Sequence, residues 1–274
     1  MHEKTKYIIK ISILIFIMII ATIGVFYNRN NLKTTLDKND LIIGMELKFP
    51  PFETVDSKGN PLGVSVELAK AIGEKLGKKV EIKNIDYSSL IPALQSKNID
   101  LIISSMSITE ERLKSIDFSD EYAKSDLALV INNSKTINNF KELNNSKYII
   151  AAKQGTAGSL WVKQNLPKAK LKDFTEVSAA MLDVNNGNSS AFIYDPLSLI
   201  EGSKNLSNIK LLLNPLPNVK GWAIGMRKGD ERLKYKINEA LKSLKEEGFF
   251  EKIREKYLKD DVEKYKSYGL DYFF

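Results

Sequence analysis

The chain has 274 residues, with 41 Lys and Arg against 34 Asp and Glu, one His and no Cys. Lack of cysteine excludes a disulfide framework, a thiolate nucleophile, a Cys-ligated metal and a cysteine-borne lipid, and the lone His2 beside Met1 leaves Ser-His-Asp hydrolysis and His-ligated metals without their residue. Of the net +7, residues 1–33 carry +4 (Lys4, Lys6, Lys10, Arg29 and Lys33 against Glu3), and the rest shows no basic run, so a nucleic-acid partner is not expected.

Residues 11–28 (ISILIFIMIIATIGVFYN) are uncharged and follow three lysines. A helix of that length spans roughly 27 Å, close to a bilayer core. It reads either as a secretory signal, with Thr22 and Gly24 as the small-residue cleavage pair, or as a retained anchor, which its length suits better. Both readings put the N-terminus in the cytoplasm and everything after about residue 30 outside the inner membrane. Residues 1–33 are therefore assigned to export or anchoring, and 34–40 to a polar tether.

LIIGME (41–46) reads as a buried strand, stopped by Pro50 and Pro51. Leu68, Ala69, Ile72 and Leu76 then recur at helical spacing, with Gly77 at the C-terminal cap position. A strand over 80–85, a helix over 89–98 and a strand over 100–106 complete an alternation that predicts a parallel sheet. The pattern repeats with a strand in 147–158, a helix over 159–165 and a strand in 189–197. Segments 125–133 and 219–230 read as connecting strands, making a second lobe (129–221) an insertion in the first (41–128 and 222–274). The charged stretch 231–258, with Leu233, Ile237, Leu241, Leu244 and Ile253 on one face, is expected to return to the first lobe. The fold expected is therefore α/β and two-lobed, with a ligand cleft where the strand ends face each other.

Three residues can be read two ways on local sequence. Arg112, in a helix that Thr109 can cap, supplies a donor fork for a carboxylate, or else pairs with Glu110 or Glu111 at the surface. Asp195 before Pro196 is a ligand acceptor or a helix N-cap, and the two roles are compatible. Thr156 in QGTAG is an anion donor or part of an ordinary strand-to-helix turn.

GMELKFPPFE (44–53), the stretch 86–122, AKQGTAG (152–158) and FIYDP (192–196) stand in unbroken order over about residues 40–258. In these motifs the chain resembles the polar amino-acid group of bacterial extracytoplasmic solute-binding proteins, family 3, the receptors of ABC importers. The resemblance implies a periplasmic-binding-protein (Venus flytrap, type II) fold closing on a free L-amino acid, with no cofactor, metal or catalysis, and a permease in the inner membrane as partner. It assigns the ligand carboxylate to Arg112 and Thr156, and the ammonium to Asp195 aided by Ser105 and Ser107. Phe49 and Tyr87 sandwich the side chain, Glu46 meets a polar or basic side chain, and Ser104 and Tyr194 complete the set.

Lys153 is a departure that bears on the substrate. If it neutralises Glu46, a neutral amide such as glutamine fits; if Glu46 is free, lysine, arginine, ornithine or histidine fit. Two other classes stay open: an enzyme resembling cyclohexadienyl dehydratase on the same fold, and a membrane-tethered amino-acid sensor. The tail after Leu258 runs past the usual family end and carries no functional expectation.

Overall fold

A computed structural model of the protein describes residues 34–124 and 126–270, together with Ile15, Met18 and Ile19. The export or anchor segment expected over 11–28 lies, those three residues apart, outside the described residues. Among the described residues no helix is long and apolar enough to cross a membrane. The chain divides into one unit up to Lys38 and another from Asn39 onward. In the first, Thr34 and Asp37 close a single 3-10 turn over Thr35–Asp37.

The second unit begins with β1 (Asp40–Met45), whose Leu41, Ile43 and Met45 are fully buried. A small hairpin of β2 (Thr54–Val55) and β3 (Pro61–Leu62) leads into α1 (Val64–Lys75), which ends where Gly77 takes φ +64. That left-handed conformation favours glycine and closes the helix as its position predicts. β4 (Lys79–Asn84), α2 (Leu90–Gln95), β5 (Leu101–Ile102), α3 (Glu110–Leu113) and β6 (Ile116–Ala123) follow.

The chain then enters the second lobe with β7 (Ala128–Asn132), β8 (Ile149–Lys153), α4 (Ala157–Asn165), β9 (Lys170–Phe174), α5 (Val177–Asn185), β10 (Ala191–Tyr194), α6 (Pro196–Ser203) and β11 (Ile209–Leu212). It returns as β12 (Trp222–Arg227), α7 (Glu231–Glu246), α8 (Phe249–Tyr257) and α9 (Lys259–Ser267).

Each lobe is built on one open five-stranded sheet, ordered β4-β1-β5-β12-β6 in the first and β11-β7-β10-β8-β9 in the second. In the first, β1 is parallel to β4 and β5, and β12 runs antiparallel to β5 and β6. In the second, β10, β8 and β9 are parallel, while β7 is antiparallel to β10 and β11. The predicted alternation of strands and helices is therefore present in both lobes.

The two segments expected as connecting strands belong to the sheets themselves. All five residues of β7 are buried, and burial on both faces requires an interior sheet position, which pairing with β10 and β11 provides. β12 likewise completes the first sheet. The crossings are the short stretches between Ala123 and Ala128 and between Leu212 and Trp222, tied side by side where Leu216 N donates to Leu127 O at 3.0 Å. The charged C-terminal stretch behaves as its apolar stripe predicts: Leu233, Ile237, Leu241, Leu244 and Ile253 are buried, with α7 packed on β6 and α1.

Candidate ligand-binding site

The strand ends of the two sheets meet around a small cavity of about 50 Å³. Nine of the eleven residues singled out in the sequence line it: Glu46, Phe49, Tyr87, Ser104, Ser105, Ser107, Thr156, Tyr194 and Asp195. Arg112 and Lys153, both buried, stand behind its wall.

From the first lobe, β1 delivers Glu46, and a tight loop follows in which Phe49 and Glu53 exchange backbone hydrogen bonds of 2.8 and 2.9 Å. The loop turns Phe49 into the cavity and Glu53 beneath it. Phe49 stacks on Phe52 with ring centroids 5.0 Å apart and meets Trp222 and Tyr194 edge-on at 5.9 and 6.2 Å. Phe52 is fully buried core, as its place between Pro51 and Glu53 suggests. Tyr87 serves differently from a simple ring partner: its hydroxyl accepts from Arg112 Nη2 at 3.2 Å.

Arg112 is buried at the start of α3, where Thr109 Oγ1 accepts from the Arg112 N–H at 3.2 Å. Its fork donates to Ser107 O at 2.6 Å and, across the cleft, to Gly155 O at 2.9 Å. The surface alternative fails, since Glu111 pairs with Lys114 and Glu110 with Lys220. The guanidinium thus joins the two lobes at one end of the cavity.

Glu53 was not singled out in the sequence. It lies at 1% exposure and accepts from Ser65 Oγ at 2.6 Å and Ser105 Oγ at 2.9 Å. Burial outweighs these donors and pushes its carboxyl up to about 8. Ser105, with φ +45, is therefore held on Glu53 by the hydroxyl that the resemblance offers to the ligand ammonium. Ser104 Oγ accepts from Glu46 N at 3.0 Å and so links the ends of β1 and β5.

From the second lobe, β8 brings Lys153 to Glu46, and the two form an ion pair with side chains 4% and 6% exposed. Thr156 is the N-cap of α4, and both its N–H and its hydroxyl donate to Lys153 O, at 3.2 and 2.7 Å. Asp195 is the N-cap of α6 with Pro196 in the first turn, as its sequence predicts; Oδ1 accepts from Ser198 N at 3.2 Å. Its Oδ2 is buried and has no hydrogen-bond partner among the described residues, and Asp195 itself lines the cavity. Burial drives its carboxyl up to about 7 against the Ser198 and Leu197 N–H groups, and Asp126 adds to the rise. Trp222, Asp126 and Leu127 also line the cavity and escaped the sequence reading. Asp126 and Leu127 sit in one lobe crossing, and Trp222 opens β12 where the other crossing ends.

The sequence profile of bacterial extracellular solute-binding proteins, family 3, matches residues 41–260. The chain belongs to this family. Among relatives of this family 3 protein, the ABC transporter glutamine-binding protein GlnH of Bacillus subtilis is 27% identical over 85% of this chain and 86% of its own. The arginine-binding extracellular protein ArtP of the same organism is 33% identical over 80% and 86%. The crystal structure of the ancestral amino acid-binding protein AncCDT-1, a precursor of cyclohexadienyl dehydratase, superposes with a TM-score of 0.72 at 30% identity, covering 83% of this chain and all of that one.

Proposed function

We propose that this family 3 protein is the extracytoplasmic receptor of an amino-acid ABC importer and that its ligand is a neutral polar amino acid of the glutamine type. The observation that carries the reading is the buried Oδ2 of Asp195, without a hydrogen-bond partner among the described residues, beside a cavity whose wall is backed by the Arg112 fork. An α-amino acid offers one ammonium and one carboxylate, and these two groups are its complements. Ligand binding to the first lobe, followed by closure of the second, brings Asp195 and Thr156 to it.

The Lys153–Glu46 pair supports the amide. A carboxylate already neutralised by a buried lysine has little net charge left for a guanidinium or ammonium side chain, whereas an amide can accept from one partner and donate to the other. The relative GlnH is likewise a glutamine-binding protein. A thermal-shift screen of the purified protein against the twenty amino acids, ornithine and cystine tests this. Glutamine should give the largest shift, since ligand at 100 times Kd stabilises by about 2.7 kcal/mol. A larger shift with arginine or lysine would overturn the amide assignment, and no shift with any amino acid would overturn the receptor reading.

The likeness to a dehydratase precursor, together with a proton-holding Glu53 in the cavity wall, favours a second reading as an enzyme. It requires turnover of prephenate by the purified protein, and we expect none.

A further inference from the structure

The last helix connects the lobes a third time. α8 is held to the first lobe where Tyr257 Oη donates to Glu67 Oε1 at 2.8 Å and Lys256 pairs with the same carboxylate at 3.0 Å. The chain turns at the buried Leu258, and within eight residues α9 reaches the second lobe. There Tyr265, 3% exposed, accepts from Leu197 N at 3.1 Å, and Lys264 pairs with Glu201 of α6.

The position of that hydrogen bond gives it a role. A helix starts with backbone N–H groups that have no partner inside the helix. In α6, Pro196 has no N–H, Leu197 donates to Tyr265 Oη, Ser198 donates to Asp195 Oδ1 and Leu199 donates to Asp195 O. The Leu197 N–H is near enough to act on the Asp195 carboxyl, but its hydrogen bond goes to Tyr265 Oη; without Tyr265 it would close fully on that carboxyl and engage both oxygens in capping. With Tyr265 in place, Oδ2 is left over.

We infer that Tyr265 is a positioning residue for the ligand ammonium: anchored on the first lobe through α8 and α9, it takes the Leu197 N–H and so keeps Asp195 Oδ2 available, making the C-terminal tail a strap that slows ligand release. The inference rests on the proposal that Asp195 receives the ammonium. Opening the lobes pulls α6 away from α1, so the strap must bend at Leu258 or give up Leu197 and Glu201. Its contribution therefore belongs to the closed form and to the rate of leaving it.

The test compares the full chain with Tyr265→Phe and with a chain ended after Leu258, using stopped-flow fluorescence of Trp222, which lines the cavity. L-glutamine, L-arginine and the des-amino analogue 4-carbamoylbutanoate are the probes. Loss of one hydrogen bond should raise the dissociation rate of the bound amino acid roughly two- to tenfold in Tyr265→Phe, with the association rate little changed and the affinity for 4-carbamoylbutanoate unaltered. Release at the parent rate in both variants would overturn the inference. An equal loss of affinity for 4-carbamoylbutanoate would also overturn it, because a general loosening of the lobes does not distinguish an ammonium. Asp195→Asn separates this from failure of the underlying proposal: if that variant binds amino acids undiminished, the ammonium assignment falls, whereas if it loses binding while Tyr265→Phe behaves as parent, only the strap falls.

Discussion

Lys153 of the second lobe and Glu46 of the first form an ion pair buried beside the cavity between the lobes. Pairs of this kind cost desolvation on both sides, so the pair is weak evidence of stability but strong evidence of a constraint on what can enter.

Replacing Lys153 with Met should therefore do two things. It leaves Glu46 buried without its cation, which typically costs about 3–5 kcal/mol, and it should move ligand preference from glutamine toward arginine or lysine. Urea unfolding and a calorimetric ligand series check both. The double variant Glu46→Gln, Lys153→Met should regain much of the stability without gaining basic ligands.

Arg112→Ala removes the fork that joins Ser107 O, Tyr87 Oη and Gly155 O. A ligand carboxylate would then be buried unpaired, at a cost of about 3–5 kcal/mol, or at least a hundredfold in Kd. Calorimetry showing undiminished affinity for every amino acid that binds the parent would remove Arg112 from the site.

Gly155 has φ +75, and a Cβ there would lie 3.1 Å from Cα and Cβ of Ser88 on the opposite lobe. The backbone strain of an alanine is felt whether the lobes are open or closed, while the approach to Ser88 exists only on closure. Gly155→Ala should accordingly weaken ligand binding several-fold more than its fall in thermal stability explains. Titration and melting of the same preparation test the difference.

The buried acids fix the direction of pH dependence. Asp195 rises from 3.8 to about 7, with Asp126, Tyr194 and Tyr265 as the titratable groups around it. An ammonium prefers the ionised carboxylate, so affinity should fall as pH drops through 7, approaching roughly tenfold per unit at lower pH. Stability runs the other way. Glu53, raised from 4.5 to about 8, and Asp195 keep protons in the fold that the unfolded chain has already lost. Their contribution is full below about pH 4 and declines as pH rises toward 8. The melting temperature without ligand should thus be lower at pH 8.5 than at pH 6, while ligand binding is stronger.

Periodicity and caps made much of this arrangement legible. The buried β1, the Gly77 cap, the Thr109 and Asp195 N-caps and the apolar stripe of α7 all follow from local spacing that tertiary packing did not need to override. β9 (KLKDF) and β6 (IDFSDEYA) were invisible for a physical reason. β9 is an edge strand of mostly exposed or half-exposed residues and β6 alternates irregularly with acids, so neither carries a clean period of two. In the site, Arg112 and Asp195 each allowed two roles on local sequence, and the family resemblance rather than the spacing pointed them to a ligand. Glu53 was not, since its burial arises from a loop that folds back and from two serines, Ser65 and Ser105, lying 12 and 52 residues away in sequence. Trp222 was missed because a large aromatic in a strand reads as core until the facing lobe is placed.

Ser105 shows where the molecule has given up robustness. A side chain at φ +45 is disfavoured by of order 1–3 kcal/mol, and its hydroxyl is held on a carboxyl that burial keeps protonated to about pH 8. Both features lie in the wall of one small cavity. Ser105→Gly would relax the backbone and Glu53→Gln would remove the titrating group, so a hardier chain lies within two substitutions. Its melting point should rise while its affinity for an amino acid falls, so this cavity wall exchanges robustness for the shape it holds.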